Sequence, residues 1–139
     1  MASPVSEDDL ELVRGALEAL NRGDIEAFVE LCDPDFHLDM SERVFNPATY
    51  EGHEGIRRFY REVREVWEEF KWEPEALHDS GEQVVALLHS QGRGRGSGVE
   101  IDRHVAMVWT VREGRAAALR FYVDQAEALK AAGLHDRLR

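Results

Sequence analysis

An α+β fold, with helices packed on one face of a curved and mostly antiparallel sheet, is predicted by three features of the sequence. Helical periodicity fills the first half of the chain, two-residue alternation fills the second, and the links between the later apolar runs are short and glycine-bearing. Strands joined by such links pair antiparallel, because a parallel pair needs a crossover of a dozen or more residues. The order read along the chain is α-α-β-α-β-β-β-β.

The first helix is carried by Leu10, Val13, Leu17 and Leu20, with Ser6 as N-cap, Asp9 three residues on, and Gly23 as the stop. Asp24 caps a short second helix that buries Ile25, Phe28 and Val29 and ends at Asp33-Pro34, because proline cannot continue it. Phe36, Leu38 and Met40 alternate with His37 and Asp39 as in a half-buried strand, and Ser41 to Glu51 reads as a loop. From Gly52, the residues Ile56, Phe59, Tyr60, Val63, Val66, Trp67 and Phe70 share one face of a long amphipathic helix. Its other face pairs Arg58 with Glu62, Arg61 with Glu65 and Arg64 with Glu68, a solvated row.

After Trp72 the pattern turns to strands: one to about His78, a turn at Asp79-Ser80-Gly81, then Val84 to Gln91, Val99 to Val111 and Ala116 to Val123. The last two are joined by Arg112-Glu113-Gly114-Arg115, a hairpin turn. Gly92 to Gly98 reads as a mobile loop, the alternative being that its Arg93 and Arg95 meet an anionic ligand, and a short helix from Gln125 to Ala132 closes at Gly133.

Composition bounds the function. The 139 residues, 43% hydrophobic and 32% charged, suit one domain over residues 1–139. The single cysteine, Cys32, forms no internal bridge, which fits a reducing compartment. With 17 Lys and Arg against 28 Asp and Glu, the net charge of -11 repels phosphate backbones and anionic lipid, so neither nucleic acid nor membrane is an expected partner. No apolar run approaches the ~18 residues of a membrane span. Met1 to Leu10 is acidic where a signal peptide is basic and then apolar, so a cytoplasmic location is expected.

The run Tyr50-Glu51-Gly52-His53-Glu54-Gly55-Ile56, the segment Gly92 to Val99, Val108-Trp109-Thr110, and Tyr122-Val123-Asp124 with Glu127-Ala128-Leu129 resemble the SnoaL-like branch of the NTF2-like superfamily. The likeness runs from Ser6 to Leu134. It implies a cone in which the bent sheet wraps the long helix and leaves a pocket at the open end. This superfold hosts isomerases, cyclases, epoxide hydrolases, dehydratases and non-catalytic binders. Members resembling ketosteroid isomerase place a carboxylate base and a protonated acid where Met40 and Met107 stand here, and a thioether does neither task. Members resembling limonene epoxide hydrolase use an Arg-x-Asp and a second Asp, matched here by His89-Ser90-Gln91 and Phe121, without either carboxylate.

Strand alternation sorts side chains into faces. Phe36, Leu38 and Met40 are assigned inward, as are Val85, Leu87, His89 and Gln91; Arg103, Val105, Met107 and Trp109; and Leu119, Phe121 and Val123. The inward polar groups are then His89, Gln91 and Arg103. His89 suits a neutral proton shuttle near pH 7, and Arg103 suits a carboxylate or enolate-like oxygen. Met40, Trp67, Gln91, Met107, Trp109 and Phe121 are the expected ligand-binding residues around a small hydrophobic organic molecule. The expected function is an isomerase, cyclase or hydrolase acting on an apolar carbonyl or carboxylate compound. The alternative is a non-catalytic ligand-binding or dimerisation module, with His89 at a wet rim and Arg103 paired to a nearby acid.

On the opposite faces, His37 with Asp39 and Asp102 with His104 have i, i+2 spacing, but alternating polar residues on an outer face need no metal, and no metal or cofactor is expected. Arg120, Tyr122 and Asp124 share a face leading into the last helix. A homodimer is expected through the outer sheet face, with Val108 and Tyr122 at the contact, since a sheet covered on one side leaves the other to water or a partner.

Overall fold

The computed structural model, which describes residues 7–43 and 47–134, has the element order α1 (Glu7–Asn21), α2 (Ile25–Glu30), β1 (Cys32–Asp39), β2 (Thr49–Glu51), α3 (Gly52–Val66), β3 (Trp67–Ser80), β4 (Gln83–Gly94), β5 (Glu100–Arg112), β6 (Arg115–Tyr122) and α4 (Gln125–Ala131). Ser6, the expected first cap, lies outside the described residues. The strands form one sheet in the order β2-β1-β6-β5-β4-β3. All neighbours are antiparallel except β1 and β6, which run parallel, with α3 and four strands intervening between them. The sheet is curved and open, with β2 and β3 as its edges.

Inside the curve, Val13 and Leu17 of α1, Phe28 of α2 and Ile56 and Phe59 of α3 pack on the inward side chains Phe36, Leu38, Met107, Trp109 and Leu119. The second helix begins as the sequence suggests, the Asp24 carboxylate accepting from the Ala27 amide at 3.1 Å. It ends earlier, at Glu30, and Asp33-Pro34 lies within β1. The β1–β6 register shifts between Cys32 and His37, an irregularity that accommodates a proline with no amide to give to the ladder. The expected loop over residues 41–51 holds the short strand β2 at its end.

Two glycines fix how α3 leaves β2. Gly52 turns the chain with φ of 69°, and a Cβ on Gly55 would stand 3.0 Å from the Tyr50 carbonyl carbon, so the helix start lies directly on the strand.

The long helix stops at Val66, four residues short of Phe70, where its expected apolar stripe ends. Trp67 is extended (φ -114°, ψ 129°) and opens β3. Phe70 and Trp72 fit a two-residue period and not a helical one, and the edge of β4 completes the ladder. Trp67 is opposite Gly94, Phe70 opposite Gly92 and Trp72 opposite Ser90. The glycine-rich segment is therefore half strand.

The inward face of β4 is Val84, Ala86, Leu88 and Ser90, so Val85, Leu87, His89 and Gln91 point outward, the reverse of the assignment made from alternation. The reason is that residues 84–88 are all apolar because both faces of the sheet are covered there. The core lies within, and outside, Ala128 of α4 and the following Leu134 pack on Val85, Ala106, Val108 and Tyr122. Thus α4 sits on the outer face, away from the other helices. It also covers Val108 and Tyr122, 6% and 7% exposed, so these two are not open for the contact between copies that the sequence suggested.

Candidate functional site

A cavity of about 80 Å³ opens between α3, the segment after β1 and the inner face of the sheet. Its apolar wall includes Met40, Val63, Trp67, Phe70, Trp72 and Phe121. The rings of Trp67 and Phe70 lie 5.3 Å apart and those of Phe70 and Trp72 4.3 Å apart. These aromatic side chains reach the cavity because β3 pairs with glycines, which leave space on the facing strand.

Three polar side chains enter this wall: Arg43, Ser90 and Arg103. Arg103 and Ser90 are directly opposite in the β4–β5 ladder and share the inward face. Arg103 stands exposed at the mouth and makes no hydrogen bond or ion pair with a described residue. Ser90 is 4% exposed, the one buried polar residue among those described, and its hydroxyl likewise has no described partner.

Arg43 is aimed by a relay from α3. Its Nη2 donates to the Tyr50 hydroxyl at 3.0 Å, and that hydroxyl donates to Glu62 Oε1 at 2.5 Å. Burial, and then the Glu62 hydrogen bond, push the Tyr50 phenol above its ordinary pKa, while Arg43 opposes them.

His89 and Gln91 lie on the other side of the sheet. The His89 ring stacks on His104 with centroids 4.8 Å apart and planes 9° apart, and its Nε2 is 2.5 Å from Asp102 Oδ1. Gln91 Nε2 is 3.5 Å from the second oxygen of Asp102. His104 Nδ1 lies 3.0 Å from Glu75 Oε2, and Gln125 donates to Glu75 Oε1 at 3.1 Å. Hydrogen bonds from His89 and from His104, respectively, hold the Asp102 and Glu75 carboxyls below their ordinary range. The apolar surround and the Arg103 neighbour expected for His89 are absent from this face.

Among the described residues no group of three or more His, Cys, Asp or Glu is placed to hold a metal ion. His37 is hydrogen-bonded to Glu51, and Asp39 lies 3.8 Å from Arg120. Burial pushes the Cys32 thiol up to about 12, which leaves it un-ionised near neutral pH.

The SnoaL-like domain model matches residues 13–119, well over half of the chain. The chain belongs to the SnoaL-like family. Solved structures agree with this fold. An NTF2-like protein of unknown function from Burkholderia pseudomallei K96243 superposes with a TM-score of 0.76 at 24% identity, over 90% of this chain and 97% of that one. TerC, co-crystallised with polyporic acid, gives 0.77 at 20% identity over 91% and 99%. A hypothetical protein with a ketosteroid isomerase-like fold from Catenulispora acidiphila DSM 44928, in complex with trimethylamine, gives 0.74 at 18% over 89% and 93%. No curated protein matches the chain.

Of the residues singled out from sequence, Met40, Trp67, Arg103 and Phe121 line the cavity of this SnoaL-like domain. Trp67 does so from the first position of β3 rather than from a helix. Met107 and Trp109 are fully buried in the core and outside the cavity wall, and Trp109 Nε1 has no hydrogen-bond partner among the described residues. Arg43 and Ser90 were missed. Arg43 lies in a segment with no periodicity, while Ser90 is one position from His89 and needed only the other register.

Proposed function

We propose that this SnoaL-like domain binds a small, largely apolar compound bearing a carboxylate or enolate-like oxygen. The oxygen lies against Arg103, assisted by Arg43 and the Ser90 hydroxyl, and the apolar body lies among Met40, Trp67, Phe70 and Phe121. The observation that carries this reading is Arg103, a guanidinium at the mouth of an aromatic-walled cavity with no counter-charge from a described residue. A cation beside apolar walls attracts an anion more strongly than it does in bulk water, and guanidinium matches the planar geometry of a carboxylate.

The reading is binding rather than general acid/base catalysis. None of the described residues lining the cavity is a histidine or a carboxylate able to take a proton from carbon. The His89 imidazole faces Asp102 and His104 instead. Of the two neighbours solved with small molecules, one holds polyporic acid and the other trimethylamine. The arginine pair here favours the acid, since a cationic ligand would meet like charge.

Thermal denaturation against aromatic carboxylates, their primary amides and alkylammonium ions tests this. Ligand at ~100 times its dissociation constant adds about 2.7 kcal/mol, which reads as a rise of several degrees. Carboxylates are expected to raise the midpoint, amides to raise it less and ammonium ions to leave it unchanged. Equal shifts for acid and amide, or an acid shift that survives Arg103→Met, would remove the proposal.

A further inference from the structure

Two spaces meet at β3. The inner cavity holds about 80 Å³, while a groove of about 840 Å³ runs outside it between the α1–α2 turn, α3 and β3, with Asn21, Tyr60 and Arg64 on its walls. Sites for drug-sized ligands span ~300–1,000 Å³, so the inner cavity alone takes only the head of such a molecule. Val63, Trp67, Phe70, Trp72 and Ile101 border both spaces, so one layer of side chains divides them.

The layer has a fixed side and a movable side. Trp72 is 5% exposed, and its backbone is clamped by Asn21, whose Nδ2 donates to the Trp72 carbonyl at 2.8 Å while its Oδ1 accepts from the Trp72 amide at 2.8 Å. Phe70 is half-buried on an edge strand, next to the register irregularity between Trp67 and Glu69. Its ring rests over Gly92, where a Cβ would come within 2.8 Å of Phe70 Cδ2 and 3.1 Å of the Glu69 carbonyl oxygen. Glycine at 92 is therefore what gives the Phe70 ring its place.

We propose that Phe70, seated over Gly92, is the specificity-determining partition of this site, and that the ligand is an elongated aromatic acid. Its acid group sits inside against Arg103, and its far ring passes the position of Phe70 into the groove beside Trp67 and Tyr60. The inference rests on the reading of Arg103 as the acid-holding end, and adds the length of the ligand and the residue that limits it.

The test compares wild type with Phe70→Ala and with Phe70→Leu, which keeps apolar bulk should the alanine variant fold poorly. Benzoate and biphenyl-4-carboxylate are titrated calorimetrically, and the neutral fluorophore N-phenyl-1-naphthylamine is titrated by emission. Both variants are expected to bind the biphenyl acid and the fluorophore about tenfold more tightly, and benzoate within about threefold of wild type. Unchanged selectivity for length in both variants would overturn the partition. A fluorophore response without acid binding would sustain it and remove the Arg103 reading, whereas Arg103-dependent acid binding without a change in length selectivity would do the reverse. No binding of either probe to any variant would remove both.

Discussion

Arg103 and Ser90 face each other across one rung of the β4–β5 ladder, and in the proposed reading they form a polar head site, charge from one and a hydroxyl from the other. The Ser90 hydroxyl lines the cavity without a partner among the described residues, so removing it breaks no hydrogen bond among them. Ser90→Ala is therefore expected to stay within about 0.5 kcal/mol of wild type in stability while weakening acid binding, a split that denaturant titration and calorimetry together reveal. On the far side of the same strands, Asp102 carries a different signature. The hydrogen bond from His89 holds its carboxyl below the ordinary value. A carboxyl with a lowered folded pKa stabilises the fold above its unfolded pKa, and that stability is lost as pH falls through the folded value. Asp102→Asn is expected to be the less stable protein at pH 6 to 7, with the gap closing below about pH 4. Urea titrations at both pH values decide this, and an undiminished gap at pH 3 would contradict it.

Elements show where sequence patterning suffices and where it does not. Strand β1 alternates cleanly, and the faces assigned to Met40, Arg103 and Phe121 are the observed ones, although residues 105–109 of β5 form an unbroken apolar run like that of β4. Strand β4 does not alternate over residues 84–88, because α4 covers its outer face; a parity error of one residue exchanges Ser90 for His89 and alters the whole chemical reading. The end of α3 is ambiguous for a related reason. Trp67 and Phe70 are three apart as in a helix, Phe70 and Trp72 two apart as in a strand, and the register irregularity between Trp67 and Glu69 lets the strand hold all three. Arg43 was beyond reach, since its position depends on Tyr50 and Glu62 from two other elements. At the start of α3, Gly55→Ala sets helix propensity, ~1 kcal/mol in favour of alanine, against overpacking, ~1–3 kcal/mol. The contact at 3.0 Å is strand backbone, which has no freedom to yield. A net loss of about 1 to 2 kcal/mol is expected by thermal denaturation, and a gain would show that α3 moves easily off β2.

At the scale of the molecule, the sheet separates two environments. Within the curve lies an apolar core that opens into the arginine-headed cavity. Outside lies a second, smaller core under α4, bordered by the His89 and His104 stack and its carboxylates. Leu134 is 3% exposed and anchors that outer core, so Leu134→Ala is expected to cost about 2 to 5 kcal/mol. The same substitution loosens the cover of Val108 and Tyr122, and sedimentation is expected to show concentration-dependent self-association of the variant beyond that of wild type. A variant that loses stability without this change would place those two side chains elsewhere than under α4.

The function proposed for the inner cavity reduces to whether Arg103 meets a negative charge. Calorimetric titration of an aromatic carboxylate and its primary amide into wild type and Arg103→Met isolates that one interaction, because the amide keeps the shape and loses the charge. A charge-assisted hydrogen bond contributes ~1.5–3 kcal/mol, so wild type is expected to prefer the acid by about tenfold or more. In Arg103→Met the preference is expected to vanish while amide affinity stays put; an acid preference of the same size in both proteins would contradict the assignment of Arg103 and of the cavity it heads.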